Sequence, residues 1–115
     1  MKLWFLKVYS GKEKLVLKKF RVGLEKVLGR NLVEVKLFGS KARGDARKNS
    51  DIDVIVIIAT GDWHICDVIY SIVTDILLED EICISPKVIN KRDYDYLYKM
   101  RTPFIKNVIR EGITI

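Results

Sequence analysis

Two acids two residues apart, Asp51 and Asp53, are the residues whose types and spacing point most directly to chemistry. They open an apolar run, Val54-Ile-Val-Ile-Ile58, that reads as a strand. On a strand, side chains at i and i+2 project from the same face. Asp51 and Asp53 therefore stand side by side, with Ile52 turned into a core. Two adjacent carboxylates repel and raise each other's pKa unless a positive charge lies between them. A hard divalent cation meets that need. Mg2+ prefers oxygen ligands and takes one or two carboxylates together with substrate phosphates. Upstream, Gly39-Ser40 breaks a run over residues 33–38 in which apolar residues alternate with Glu34 and Lys36. Glycine allows main-chain N–H groups to come close to a ligand. A Gly-Ser turn at the end of a neighbouring strand supplies donors to phosphates. Lys41, Arg43, Arg47 and Lys48 lie between the turn and the acids and add positive charge.

Residues 37–56 resemble the signature of the nucleotidyltransferase superfamily that includes DNA polymerase beta and kanamycin nucleotidyltransferase: Gly-Ser, about ten residues, then Asp-x-Asp. Gly39-Ser40, Arg43-Gly44, Ser50-Asp51 and Asp53 match the minimal nucleotidyltransferases, the small stand-alone bacterial and archaeal branch. The resemblance implies that Asp51 and Asp53 are catalytic and hold Mg2+. It implies that Gly39 and Ser40 cradle the β- and γ-phosphates of ATP or another nucleoside triphosphate, and that Arg43 steadies them. The implied reaction moves a nucleoside monophosphate, AMP from ATP, onto a hydroxyl. Minimal nucleotidyltransferases are commonly encoded beside a small helical HEPN protein, an RNase toxin. The implied role is an antitoxin that AMPylates a tyrosine of that partner.

One position departs from the pattern. In the superfamily a third carboxylate on a later strand often completes the metal site and helps activate the attacking hydroxyl. The strand expected here covers residues 79–85, and the aligned position is Cys83. A neutral thiol is a poor Mg2+ ligand. Glu81, two residues earlier, shares the Cys83 face in that reading. Two functions therefore stay open: a nucleotidyltransferase, or a catalytically weak or inactive nucleotide- and partner-binding module that masks a toxin by direct binding.

The elements needed to position these residues can be read around them. Ser10-Gly-Lys-Glu13 reads as a capping box. Leu15, Leu17, Phe20, Leu24, Val27 and Leu28 form the apolar stripe of the helix that follows, and Gly29 ends it. Residues 31–38 and 51–58 are the first two strands, with a short helix over residues 40–46 and a loop over 47–50 between them. Asp62 caps a second amphipathic helix carrying Ile65, Val68, Ile69, Ile72, Val73, Ile76 and Leu77. After the strand over residues 79–85, closed by Pro86, come two short helices. The first holds Tyr94, Tyr96 and Tyr98, which cannot all share one face. The second starts at Thr102-Pro103 and ends at Gly112. This order fits an α/β fold, a small mixed β-sheet with helices packed on one face, in a single domain over residues 1–115. The resemblance implies the same polymerase beta-like architecture.

Composition narrows the alternatives. With 115 residues, 49% of them apolar, the chain can bury a core of its own. A net charge of +6 suits polyanionic partners such as nucleotides, RNA or an acidic protein. Charge is the whole case for nucleic acid, because no RNA-recognition motif with paired aromatics on strands is visible. No apolar run approaches the ~20 residues needed to cross a bilayer, and the expected location is the cytoplasm. Cys66 and Cys83 make no zinc framework. His64, the only histidine, falls at the start of a helix and reads as a surface or capping residue.

Overall fold

The computed structural model describes residues 11–38, 51–61 and 63–115, apart from the side chains of residues 111 and 113. Gly39, Ser40 and Arg43, the short helix over 40–46, the loop over 47–50, the Ser10 capping box and the Asp62 cap all lie outside the described residues.

Helix α1 spans Gly11–Leu28 and buries Val16, Leu17, Phe20 and Leu24. A turn of about 100° per residue puts these four on one side. Leu15 falls nearly opposite Phe20 by the same rotation and is exposed, as is Val27 in the last turn, so neither joins the buried stripe. Gly29 follows with φ of +53°, a left-handed conformation that glycine adopts without a Cβ penalty. A 3-10 turn, Gly29–Asn31, leads into β1, Leu32–Phe38. Strand β2, Ile52–Ile58, pairs antiparallel with β1. The Asn31 side chain ties the start of β1 to the end of β2. Its Nδ2 donates to the Thr60 carbonyl at 2.6 Å, and its Oδ1 accepts from the Thr60 N–H at 2.8 Å.

Helix α2, Trp63–Asp80, buries Ile69, Val73 and Ile76. It crosses over to β3, Ile84–Asn90, which lies parallel to β2. A parallel pair requires such a crossover. Helices α3, Lys91–Met100, and α4, Pro103–Glu111, come next, and a two-residue strand β4, Ile113–Thr114, pairs antiparallel with β1. The sheet order is β3-β2-β1-β4. Asn90 caps α3 by accepting from the Asp93 N–H, and Thr102 caps α4 by accepting from the Ile105 N–H at 3.2 Å. Tyr94 is buried, while Tyr96 and Tyr98 are exposed.

Other sequence expectations need correction too: Val68 and Leu77 of the α2 stripe are exposed. The third strand is Ile84–Asn90, not residues 79–85. Helix α2 continues to Asp80, and Glu81 stops it in the left-handed conformation, φ +58°, with its N–H on the Leu77 carbonyl at 3.0 Å. Glycine usually fills such a stop, and its absence hid the helix end. Pro86 lies inside β3 rather than at its end. The bond from the Ile52 N–H to the Cys83 carbonyl, with the parallel register, turns the nitrogens of residues 84, 86 and 88 away from β2. Among the described strands β3 is an edge, so a residue without an N–H costs it no ladder bond. The helices also cover both faces of the sheet. Ile52, Val54, Val56 and Ile58 pack with α1 and α2, whereas Ile55 and Ile57 pack with α3 and α4. No helix among the described residues is long and apolar enough to cross a membrane.

Candidate active site

The alternation along β2 that buries Ile52 leaves Asp53 on the opposite face, the one that Ile55 and Ile57 share with α3 and α4, and Asp51, just ahead of the strand, is near enough for its charge to act on Asp53. The register then arranges neighbours in rows across that face. Asp53 stands between Phe38 of β1 and Ser85 of β3. One row further along, Ile55 stands between Lys36 and Lys87. In the other direction, Asp51 and Cys83 each come one residue before the Ile52–Ile84 pair, and the two side chains are in hydrogen-bond contact. Two carboxylates, a thiol and a hydroxyl therefore meet at one end of two parallel strands.

The electrostatics follow from this placement. Burial pushes the Asp53 carboxyl above its ordinary range, the Asp51 charge adds to the rise, and the Lys87 charge opposes it. Burial also pushes the Cys83 thiol up. The negative charge of Asp51 and a hydrogen bond from the thiol to that carboxylate act in the same direction. Cys83 is thus a protonated donor at neutral pH, aimed at one member of the acid pair. Lys87 reaches across the face so that its Nζ lies 4.8 Å from the centre of the Phe104 ring. Phe104 in turn meets Phe38 edge-on, with ring centres 5.8 Å apart and planes at 88°.

Of the residues singled out in the sequence, Asp51, Asp53 and Cys83 come together here. Glu81 does not follow: it precedes β3 as the exposed stop of α2, so strand alternation no longer places it beside Cys83. His64 is exposed and stacked on Trp63 at the start of α2. Ser85, Lys87 and Phe104 were missed. The alternation of Ser85 and Lys87 was available as a signal, but it was masked by taking Pro86 as the end of the strand.

Among the described residues no cluster of three or more His, Cys, Asp or Glu side chains is arranged to hold a metal ion. The acid pair nonetheless suits a hard divalent cation by its donors. Both side chains offer oxygen and they repel each other, and Mg2+ commonly takes its remaining ligands from water and substrate phosphates.

Residues 24–115 match the family described as Polymerase beta, Nucleotidyltransferase. A curated relative from Methanocaldococcus jannaschii, named "Putative protein adenylyltransferase MJ0604", is 30% identical over 100 residues, spanning 87% of this chain and 94% of the relative. Among solved structures, a toxin–antitoxin with AMP-PNP superposes with a TM-score of 0.51 at 19% identity, covering 83% of this chain and 68% of that one. A mutant of the toxin–antitoxin MntA-HpeT superposes with a TM-score of 0.50 at 17% identity, covering 91% and 72%. These likenesses to solved structures establish the fold.

Proposed function

The chain belongs to the polymerase beta nucleotidyltransferase family, and from that premise we propose that it transfers AMP from ATP to a hydroxyl on a partner protein, with Mg2+ at Asp51 and Asp53. The partner in this reading is a HEPN-family toxin, and the modification makes the chain its antitoxin. The single observation that carries the chemistry is that Asp53 of β2 stands beside Ser85 of β3 while Asp51, just ahead of β2, is near enough to act on it and accepts a hydrogen bond from Cys83, just ahead of β3. The name of the archaeal relative supports a protein as acceptor. The toxin–antitoxin structures sharing the fold, one of them with AMP-PNP, support the nucleotide and the class of partner.

In the reaction the acceptor oxygen bonds to the α-phosphorus, and the bond from that phosphorus to the bridging oxygen breaks. Pyrophosphate departs with the electron pair, and the hydroxyl proton passes to water. Asp51 and Asp53 would hold the Mg2+, which when bound would supply positive charge to the phosphate oxygens. Asp51 and Asp53 orient that charge from a strand held rigid by burial on both faces. Gly39 and Ser40 donate to the β- and γ-phosphates, and Arg43 steadies them. The Cys83 thiol, held protonated, donates to Asp51 and takes no proton from the acceptor.

The test is incorporation of label from α-phosphate-labelled ATP into a co-expressed partner, with pyrophosphate released, in the presence and absence of Mg2+. The proposed reaction requires label that depends on Mg2+ and is lost in Asp53→Asn. Cys83 motivates a second reading, in which a stable complex with the toxin forms and inhibits it without transfer. A tight complex with no label in the partner selects that reading and overturns the enzymatic one.

A further inference from the structure

One cation on the acid-bearing face, Lys87, has a place that pairing among the described residues does not explain. Lys36 and Lys87 flank Ile55 from the two neighbouring strands. Lys36 lies 3.7 Å from the Glu34 carboxylate. Elsewhere Lys19 pairs with Glu79 and Asp80, and Lys91 with Asp95. Lys87 makes no such ion pair among the described residues, and its ammonium is carried instead over the Phe104 ring. A lysine on an edge strand often serves only to block edge-to-edge pairing. That task needs a side chain extended into water, whereas Lys87 folds over the sheet face. Phe104 is itself fixed by α4 and by its edge contact with Phe38, the residue next to Asp53 in the register. An aromatic face and a four-carbon stem thus hold one positive charge on the same face as the acids. Lys87 lies two residues past Ser85, about 7 Å along the strand. Its charge is close enough to act on the Asp53 carboxyl. Two carboxylates and one cation at that spacing suit a ligand that carries a metal ion at one end and spare negative charge at the other.

We propose that Lys87 is a substrate-positioning residue whose ammonium, braced on Phe104, binds the phosphate tail of the nucleoside triphosphate and the pyrophosphate that leaves. This rests on the nucleotidyl-transfer reading and deepens it. The tail bears most of the substrate's charge, and the bond that breaks places further charge on it. A fixed cation there strengthens binding of triphosphate over monophosphate and favours departure of the leaving group.

Binding of Mg-ATP, Mg-tripolyphosphate and AMP to the full chain, measured by titration calorimetry, tests the assignment. Lys87→Met keeps an unbranched stem against Phe104 and removes the charge. It is expected to weaken ATP and tripolyphosphate about 10- to 100-fold, the range for a hydrogen bond to a charged group, and to leave AMP within about twofold. Lys87→Arg restores both tight ligands to within a few-fold. Lys91→Met, which removes one charge at the far end of β3, leaves all three unchanged. Wild-type tripolyphosphate affinity in Lys87→Met, with ATP still bound by the wild type, overturns the role of Lys87 and leaves the proposed reaction standing. A wild-type chain that binds neither ATP nor tripolyphosphate overturns both.

Discussion

Replacing Asp53 by Asn tests whether the acid pair is a strained feature that a cation relieves. Two residues apart on a strand, the carboxylates are separated by about 7 Å. Two unit charges at that distance repel by about 0.6 kcal/mol in bulk water and about 2.4 kcal/mol at an effective dielectric of 20. Asp51 is exposed and Asp53 only partly buried, so solvent screening favours the lower half of that range. Lys87 offsets part of the repulsion. The net expectation is a metal-free Asp53→Asn variant about 1 kcal/mol more stable than wild type at pH 7, or roughly 4 °C in Tm. The sign follows from linkage. The folded pKa of Asp53 lies above the ordinary 3.8, so ionisation costs stability at neutral pH. That cost fades as pH falls through the folded pKa and is gone below the unfolded value. The gain of the variant should therefore vanish below about pH 3.8. Thermal unfolding of both proteins across that range, with and without millimolar Mg2+, is the assay. Mg2+ should raise the Tm of wild type and not of the variant. A variant less stable than wild type at pH 7, or equally stabilised by Mg2+, would refute the argument.

Cys83→Asp places a carboxylate beside Asp51, where a thiol now donates. With general-base assistance worth about 10²- to 10⁴-fold, single-turnover transfer should accelerate within that range while Mg-ATP affinity changes little. An unchanged or slower rate removes Cys83 from the third-acid argument. Glu81→Gly relieves a left-handed residue that costs roughly 1–2 kcal/mol. Part of that relief is returned as chain entropy. Urea unfolding should then show a gain of about 0.5–1 kcal/mol with the transfer rate intact. Loss of transfer in this variant would restore Glu81 to the site.

The sequence by itself determined the features that depend on local chemistry. Period-two alternation put Asp51 and Asp53 on one face and Ile52 on the other, because a strand offers no third direction for a side chain. Helix stripes in α1 and α2 emerged from the spacing of Phe20 and Leu24 and of Ile69, Val73 and Ile76. The cap at Thr102 needed only a short polar side chain ahead of a helix. The start of β3 was not legible. A glutamate holds the left-handed stop of α2 where a glycine would have announced it, and Pro86 looks like a strand end until the strand is known to be an edge. Tertiary structure alone decided that helices cover both faces of the sheet. Ile55 and Ile57 are as apolar as Val54 and Val56, and composition cannot say which helix covers which row. Pairing of β2 with β3 likewise decided which groups surround the acids. Cys83, Ser85 and Lys87 lie some thirty residues from Asp51 and Asp53 in the chain, and only the parallel register brings them alongside. Such a register is set by hydrogen bonds between strands and by the length of the α2 crossover. Neither quantity is written in the residues of the site itself.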